Sequence, residues 1–528
     1  MVNKKQKILL FFLVVFLLYC SISIGQSWDE PYHLIQGKIT LNYLFSLGKI
    51  DIDLFRREYY SAIYWSLNFF LTQIFPKSYQ IESSHLVNMI FSLSTIFAIQ
   101  NVSKELFNKK VGKIIFLILL FYPIFFGHMS INPKNTIVAF SHVWIFYLIL
   151  KYLKNQHITD KVNNYITFMG ILLALATGIN LFFLSTLIPI LFFVFIDIFL
   201  IKKFISKKFN KIKFFKDICK IILIYYFLLI IFWVDAHPNI LTLPFSFFLD
   251  LAAGDLWRGY PYNLVNGQYY LSTEVPKLYF LVNLIYKSPE YFILCYIIFL
   301  IICIASSNFF KKKIYHFNYK LSLITAIFAF PILIGFIIPY PLYDGMRLFL
   351  WSLPYFCIIP ALTIYYLIEN IKFRKSKFTF IFLSILMIYF IFNFLVITPY
   401  QYTYLNFLNG KIENRYKKFE NDYWGTSIKE LINNSNFEKD KLLTFSTCGI
   451  NPKIAKKYLR KNGYLNFQFK SYNESDYIIM TNRVTTLDAN SSDANKLTNC
   501  FDKYTGKNLS KVKRNGLILS VIRKSGYK

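Results

Sequence analysis

Charged residues are scarce in this chain of 528 residues: Asp, Glu, Lys and Arg together make up 16% of it. Soluble domains carry roughly a quarter. Hydrophobic residues instead account for 55% of the chain and aromatic residues for 20%. A soluble protein of this composition would expose large apolar patches, which soluble monomers avoid. The composition therefore excludes a disordered chain, a collagen, a coiled coil and an ordinary cytosolic enzyme, and it indicates a polytopic membrane protein.

The sequence also lacks the short motifs of several common sites. It contains no CxxC, no HExxH and no glycine-rich phosphate loop. No internal repeat is evident, which disfavours a transporter built from inverted repeats. Of seven cysteines, five lie in or beside apolar stretches, while Cys448 and Cys500 lie in the polar C-terminal part. These two could form a disulfide in an oxidising compartment, although nothing in the sequence shows that they are close.

Long apolar stretches are abundant, and about eleven of them approach the roughly 20 residues of a membrane-spanning helix. The first follows Lys4, Lys5 and Lys7 and has no signal-peptidase site after it, so we interpret it as a retained helix. The eleven stretches are 7–24, 84–102, 112–128, 134–151, 163–179, 180–201, 217–235, 288–309, 321–340, 346–368 and 376–397.

Acidic residues are few, with 28 Asp and Glu against 59 Lys and Arg, which gives a formal net charge of +31. The lysines concentrate in alternate loops, such as KKFISKKFNKIKFFK at 202–216 and KKKIYHFNYK at 311–320. Because Lys/Arg-rich loops are cytoplasmic, we predict a cytoplasmic N-terminus and an extracytoplasmic C-terminus. The positive charge can then meet anionic membrane lipids, and no nucleic acid is expected as a partner.

The outer loops and the C-terminal part differ from the apolar stretches. The first outer loop, 25–83, is amphipathic in parts, which predicts helices lying along the membrane interface. Residues 398–528 contain strand-like runs (LLTFST, DYIIMTN, GLILSVI) and helix-like runs (GTSIKELINN, PKIAKKYLRKN). We therefore predict a mostly α, polytopic helical membrane protein, with a transmembrane domain at 1–397 and a small extracytoplasmic α/β domain at 398–528.

Four polar groups follow or precede predicted spans at the same, outer side of the membrane. Ionisable residues beside a membrane are costly and often functional. Each group also has a structural interpretation as a helix cap, a snorkelling lysine or a local ion pair. The argument for function is that all four share one face. The groups are Asp29, Glu30 and His33; His128, Asn132 and Lys134; Asp235, His237 and Asn239; and Tyr343, Asp344 and Arg347.

An acid pair and several cations beside the outer leaflet suit the transfer of a sugar from a polyprenyl phosphate. The lipid tail of such a donor explains why the catalyst is embedded in the bilayer. The leaving phosphate gains negative charge, which Lys or Arg can stabilise. A carboxylate can take the proton of the acceptor hydroxyl as general base. One carboxylate suffices for an inverting displacement, and the second can orient the acceptor.

The chain resembles the C-type membrane glycosyltransferases, and among them the bacterial relatives of dolichyl-phosphate-mannose-protein mannosyltransferases (family 39). The resemblance rests on Asp29–Glu30, FGHMSINPKN at 126–135, LYDGMRLFLWSLP at 342–354 and NDYWGTSIKEL at 421–431. It implies a polyprenyl-phosphate-sugar donor and an acidic catalytic base in the first outer loop. That role falls on Asp29, with Glu30 as second choice. One departure is Leu348, where the bacterial relatives have a histidine.

We therefore predict an inverting glycosyltransferase of the bacterial inner membrane, with a glycan, a lipid or a protein as acceptor. Asp29 is the base, Glu30 orients the acceptor, and Lys134 and Arg347 hold the lipid phosphate. No cofactor is expected; a divalent cation is an open option, but no ligand spacing demands a metal site. Further substrate-binding candidates are His33, His128, Asn132, His237, Arg258, Tyr343 and Asp344.

Three alternatives remain at this point. A transporter or lipid flippase would place charged or broken helices in mid-membrane, whereas these stretches are nearly free of charge at their centres. A transferase of a preassembled glycan, or of a non-sugar group, makes the same physical demands as the predicted enzyme. A non-catalytic scaffold that presents the C-terminal domain does not explain so many acids and cations beside the bilayer.

Overall fold

A computed structural model describes residues 4–50, 60–253, 259–338, 340–487 and 494–525 of the chain. Within these ranges the protein is mostly helical, with β-strands concentrated near the C-terminus. The α-helices of the first half are α1 (Lys4–Ser23), α2 (Glu30–Phe45), α3 (Ile63–Thr72), α4 (Gln80–Leu106), α5 (Lys109–Leu120), α6 (Pro123–His128), α7 (Pro133–Asn155), α8 (Thr159–Ile179), α9 (Phe183–Thr186), α10 (Ile188–Ile196), α11 (Lys211–Ile231) and α12 (Leu243–Ala253).

The second half of the chain adds ten α-helices and nine strands within the described residues. The helices are α13 (Tyr279–Lys287), α14 (Glu290–Ala305), α15 (Ser307–Lys313), α16 (Phe317–Ile337), α17 (Leu353–Phe356), α18 (Ile358–Glu369), α19 (Arg374–Val396), α20 (Ile428–Asn433), α21 (Pro452–Lys461) and α22 (Cys500–Lys503). The strands are β1 (Tyr262–Val265), β2 (Gln268–Leu271), β3 (Leu443–Cys448), β4 (Phe467–Phe469), β5 (Tyr477–Thr481), β6 (Val484–Thr486), β7 (Leu497–Asn499), β8 (Asn508–Arg514) and β9 (Leu517–Lys524).

Each of the eleven apolar stretches is helical, wholly or in part, but fewer of them are continuous helices than the sequence predicts. In the described part of the chain, five helices are both long enough and apolar enough to cross a membrane. The pair α13 and α14, which is bent by 112° at its break, is a broken span or a re-entrant loop. The five helices are Lys77–Leu106, Pro133–Asn155, Thr159–Ile179, Phe317–Ile337 and Arg374–Val396.

Proline and local charge account for the difference. The stretch 112–128 is divided because α6 begins at Pro123, a residue that fits the first turn of a helix but cannot continue one. In the stretch 346–368, α17 likewise begins next to Pro354. Helix α11 has the length of a span, but Lys216, Asp217 and Lys220 lie in its first half. Apolar composition therefore locates these segments without showing where each helix is interrupted.

The helical core is built around α4 and α7, which pack against each other and against α5 and α8. Ile96 and Ile99 of α4 and Val143 of α7 are completely buried in it. Helix α19, in contrast, exposes large apolar side chains such as Ile388 and Phe392. An apolar surface of that kind suits a lipid environment rather than water.

The first outer loop contains two of the helices that its amphipathic sequence predicts, α2 and α3, which pack together. Gly37 lies at their contact, where a Cβ atom would be 2.1 Å from the backbone carbonyl oxygen of Trp65. Only glycine permits the two helices to approach so closely. The contact fixes the direction of α2, whose first turn follows Asp29.

The C-terminal part contains a five-stranded mixed sheet with strand order β4-β3-β5-β9-β8. Strand β3 pairs in parallel with β4 and β5, and β9 pairs antiparallel with β5 and β8. The three predicted strands are β3, β5 and β9, and the two predicted helices are α20 and α21. A disulfide joins Cys448 at the end of β3 to Cys500 in α22. The small C-terminal α/β domain is thus confirmed.

This domain is attached to the segment between α1 and α2. The N–H of Gly25 donates to the carbonyl of Thr426 at 3.2 Å, and the N–H of Gln26 donates to the hydroxyl of Tyr458 at 2.8 Å. A Cβ atom on Gly25 would lie 2.2 Å from the Thr426 carbonyl oxygen. The C-terminal domain therefore holds the backbone directly before Asp29.

Candidate active site

Asp29 and Arg347, far apart in the sequence, meet in the structure. Arg347 Nη2 lies 3.7 Å from Asp29 Oδ2, with the Asp29 side chain 38% exposed and that of Arg347 6% exposed. Asp29 occupies the N-cap position of α2, but its side chain makes no capping hydrogen bond. The carboxylate therefore faces the guanidinium and remains accessible, instead of satisfying the helix end.

The Arg347 guanidinium is enclosed by aromatic rings and a second acid. Its centre lies 4.5 Å from the Trp424 ring and 5.2 Å from the Tyr343 ring. Its Nη1 lies 3.7 Å from Asp344 Oδ2. Within the described part of the chain, its buried Nε has no hydrogen-bond partner. A buried charged donor without an acceptor is costly, and a planar guanidinium matches the oxygens of a phosphate.

Asp344 is held close to Arg347 by an unusual backbone turn. Its φ is +56° and that of the following Gly345 is +58°, in the left-handed region where Asp is tolerated and glycine is favoured. Burial raises the pKa of Asp344 to about 7, although Arg347, Lys287 and Arg483 act in the opposite direction. Near neutral pH this carboxyl group is therefore only partly ionised and only partly neutralises Arg347.

Glu30 is placed differently from its neighbour Asp29. Its Oε1 lies 2.7 Å from His85 Nε2, with the Glu30 side chain 2% exposed. Its Oε2 accepts a hydrogen bond from the N–H of Ser27 at 2.6 Å. This carboxylate holds the turn between α1 and α2 against α4. Its predicted role of orienting the acceptor stays a prediction.

His33 and Lys134 connect the first outer loop with the NPK segment. The His33 ring stacks on Trp65 at 3.8 Å, and Lys134 Nζ lies 4.8 Å from the centre of the Tyr60 ring. Burial lowers the pKa of His33 to about 4; Asp29 opposes this, and Lys134 and Arg347 add to it. All three charges thus act on one imidazole, which is neutral at pH 7.

His128 and Asn132 lie behind the cleft. The His128 ring is 5.7 Å from Tyr402 and 6.4 Å from Trp424. Asn132 Oδ1 accepts a hydrogen bond from Asn135 at 3.1 Å. These contacts support Trp424, the ring that covers Arg347.

One predicted site residue is not brought to this cluster, and another lies outside the described residues. His237 Nε2 is hydrogen bonded to the carbonyl of Ile230 at 2.9 Å, and its ring lies 5.6 Å from that of Tyr43, near the end of α2. At 1.5 Å per residue, Tyr43 is about 20 Å along the helix from Asp29. Arg258 lies outside the described residues.

The structure adds residues that the sequence did not indicate. Arg483, which follows β5 in the C-terminal domain, stacks on Trp28, Tyr260 and Tyr423. Glu420 accepts a hydrogen bond from the N–H of Val484 at 3.0 Å, and burial raises its pKa to about 7. The NDYWG motif indicated its own segment, but no local pattern marks Arg483.

Among the described residues, no group of three or more His, Cys, Asp and Glu side chains is arranged to hold a metal ion. Four side chains could supply ligands to a divalent cation, and they form no such group: Asp29, Glu30, His33 and His237. Glu30 is turned toward His85, and His237 lies near the far end of α2.

Comparison with solved structures gives the fold class. ArnT from Cupriavidus metallidurans in the apo state is similar with a TM-score of 0.50 and 9% identity, covering 98% of this chain and 98% of that chain. ArnT bound to undecaprenyl phosphate gives a TM-score of 0.51 and 10% identity, covering 99% of both chains. The archaeal oligosaccharyltransferase AglB from Archaeoglobus fulgidus gives 0.49 and 10%, covering 91% of this chain and 70% of that chain.

No family model and no curated protein matches the chain. At such low identity the likeness to ArnT shows the fold alone. The narrower resemblance to family 39 stays a prediction.

Proposed function

We propose that the chain is an integral-membrane, inverting glycosyltransferase. It moves a sugar from a polyprenyl-phosphate donor to a hydroxyl group of an extracytoplasmic acceptor. The observation that carries this proposal is the pairing of an accessible carboxylate, Asp29, with a buried guanidinium, Arg347, at 3.7 Å. The ArnT structure of the same fold binds undecaprenyl phosphate, which supports this class of donor.

Arg347 holds the donor phosphate in this proposal, and Lys134 assists it. The phosphodiester of the donor carries one negative charge, and the leaving polyprenyl phosphate carries two. A guanidinium fixed between Trp424 and Tyr343 stabilises that added charge without reorganising. No general acid is needed, because phosphate leaves without protonation.

Asp29 acts on the acceptor. With the donor bound, its phosphate competes with Asp29 for Arg347, and this frees the carboxylate to accept the hydroxyl proton. The acceptor oxygen then attacks the anomeric carbon from the face opposite the phosphate, so that one displacement inverts the configuration. Glu30 positions Asp29 by holding Ser27 and His85.

The test is transfer from a radiolabelled undecaprenyl-phosphate sugar in membranes that contain the chain. We expect Asp29→Asn to lower transfer by about 10²–10⁴-fold, the usual contribution of a general base, while binding of undecaprenyl phosphate persists. Asp160→Asn is the matched control, because Asp160 is exposed at the start of α8. Unchanged transfer by the Asp29 variant would exclude Asp29 as the base.

A transporter or lipid flippase is the second candidate, and one observation favours it. Helices α13 and α14 form an apolar pair that is bent by 112°, and transporters use broken helices at their binding sites. Uptake of a polyprenyl-phosphate sugar into proteoliposomes, without any glycoside product, would support this function over transfer.

A further inference from the structure

Arg483 is a second buried guanidinium beside the proposed base. It is 4% exposed, and its centre lies 4.4 Å from Trp28, 3.7 Å from Tyr260 and 4.1 Å from Tyr423. The three rings belong to three separate segments of the chain: the residue before Asp29, the second long loop and the NDYWG motif. The C-terminal domain thus contributes a cation to the surroundings of Asp29.

Contacts with the faces of aromatic rings do not satisfy the N–H groups of a guanidinium. Its Nε and Nη1 are buried and have no hydrogen-bond partner among the described residues. Cation–π contacts stabilise the charge, whereas in-plane N–H donors require oxygen acceptors. An oxyanion beside these N–H groups would supply the acceptors that they lack.

The two guanidiniums contact neighbouring residues of the same two segments, Trp28–Asp29 and Tyr423–Trp424. Arg347 contacts Asp29 and Trp424, while Arg483 contacts the preceding residue in each pair, Trp28 and Tyr423. Both guanidiniums therefore lie beside the segment that carries the base. A transfer reaction must bring two substrates to that base, and Arg347 is assigned to the donor.

The acids nearby do not neutralise this cluster at neutral pH. Asp344 and Glu420 are the carboxyl groups that act on Arg483, and burial raises the pKa of each to about 7. Lys287 and Arg347 add positive charge to the same region, since both also act on Asp344. Near neutral pH the two acids are therefore only partly ionised and only partly neutralise the two guanidiniums.

We propose that Arg483 binds an oxyanion of the acceptor, a phosphate or carboxylate group close to the hydroxyl that receives the sugar. This inference rests on the proposed function and narrows its acceptor to an acidic molecule. The group forms no covalent bond with the chain: Arg483 positions the acceptor while Asp29 takes the proton.

The experiment uses the full chain purified in detergent and saturated with undecaprenyl phosphate, which occupies the Arg347 position. Binding of inorganic phosphate, and separately of acetate, is then measured by calorimetry. We expect one further oxyanion per chain, with phosphate affinity lowered at least tenfold by Arg483→Gln and partly kept by Arg483→Lys. Arg460→Gln is the control, because Arg460 is an exposed arginine of α21 in the same domain.

Equal phosphate affinity of the wild-type and Arg483→Gln proteins would overturn the inference, as would the absence of a second oxyanion. Binding of undecaprenyl phosphate by Arg483→Gln shows that this variant is folded. If undecaprenyl phosphate does not bind the wild-type chain, the proposed function fails instead. The comparison of phosphate binding by the wild-type and Arg483→Gln proteins without the lipid then still tests the Arg483 site.

Discussion

Asp29 and Glu30 are adjacent in the sequence, yet the fold gives them different surroundings. Asp29 stays accessible beside Arg347, whereas Glu30 is buried against His85. From the acid pair after an apolar stretch, the sequence predicts that both carboxylates contact the substrates. Which one reaches the cleft depends on the direction in which α2 begins and on the histidine that α4 supplies.

At the same scale, Asp344 and Glu420 make the stability of the chain depend on pH. Burial raises the pKa of Asp344 from 3.8 to about 7 and that of Glu420 from 4.5 to about 7. Between about pH 4 and 7 such a group binds more protons in the folded than in the unfolded chain. Its contribution to stability is complete below its unfolded pKa and is lost as the pH rises through 7. These two groups therefore raise the melting temperature at pH 5.5 relative to pH 8, and buried His33, whose pKa is lowered, acts in the opposite direction.

Scanning fluorimetry of the detergent-purified chain measures this difference. Asp344→Asn removes one of the two groups and should reduce the difference between the two pH values. Asp160→Asn, which changes an exposed aspartate, should leave it as in the wild type. If the Asp344 variant retains the full difference in melting temperature, the pKa of Asp344 is not raised in the folded chain.

At the scale of single elements, the contact between α2 and α3 is the feature most sensitive to a small change. A Cβ atom on Gly37 would lie 2.1 Å from the Trp65 carbonyl oxygen, so Gly37→Ala forces the two helices apart. Overpacking of this kind typically costs about 1–3 kcal/mol. We expect a lower melting temperature together with reduced transfer, because α2 carries Asp29 at its start.

Gly335 provides the control for this substitution. It lies in α16, and a Cβ atom there would meet nothing within 4 Å. Since alanine favours a helix over glycine, Gly335→Ala should leave the melting temperature unchanged or raise it slightly. Equal effects of the two substitutions would show that the α2–α3 contact is not close.

The disulfide is the second feature at this scale. It connects Cys448 and Cys500 across a sequence separation of 52 residues, and the N–H of Cys500 donates to the carbonyl of Arg483 at 3.0 Å. Replacing both cysteines by serine should destabilise the C-terminal domain by about 2–4 kcal/mol. Thermal unfolding of the variant, compared with the wild-type chain with and without reductant, measures this loss. A reductant that changes nothing in the wild type would contradict a structural disulfide.

At the scale of the whole molecule, the charge distribution predicts the orientation in the membrane. Alkaline phosphatase fused after Lys528 should be active, because the enzyme requires an oxidising, extracytoplasmic compartment. A fusion after Lys313, in a lysine-rich loop, should be inactive. The opposite pattern would place Asp29 and Arg347 on the cytoplasmic side.

The convergence of the site is also a property of the whole molecule. Three parts of the site can be identified from the sequence, because polar residues stand out at the ends of apolar stretches. They are the Asp-Glu pair, the NPK segment and the YDG segment. His237 has the same local signature, yet it lies near the far end of α2. Arg483 is part of the cleft although nothing in its surrounding sequence marks it. Sequence position identifies polar residues at a membrane surface, but not which of them share a cavity.

The sequence by itself determined the class of fold, because apolar runs and alternating strands are local patterns set by burial of each segment. It also determined the chemical types available at the outer surface, since acids and cations near a bilayer are too costly to be common. Only the tertiary structure decided that Asp29 meets Arg347 and that Glu30 is buried against His85. Both outcomes depend on contacts between separate segments of the chain, and no local pattern encodes the distance between two such side chains.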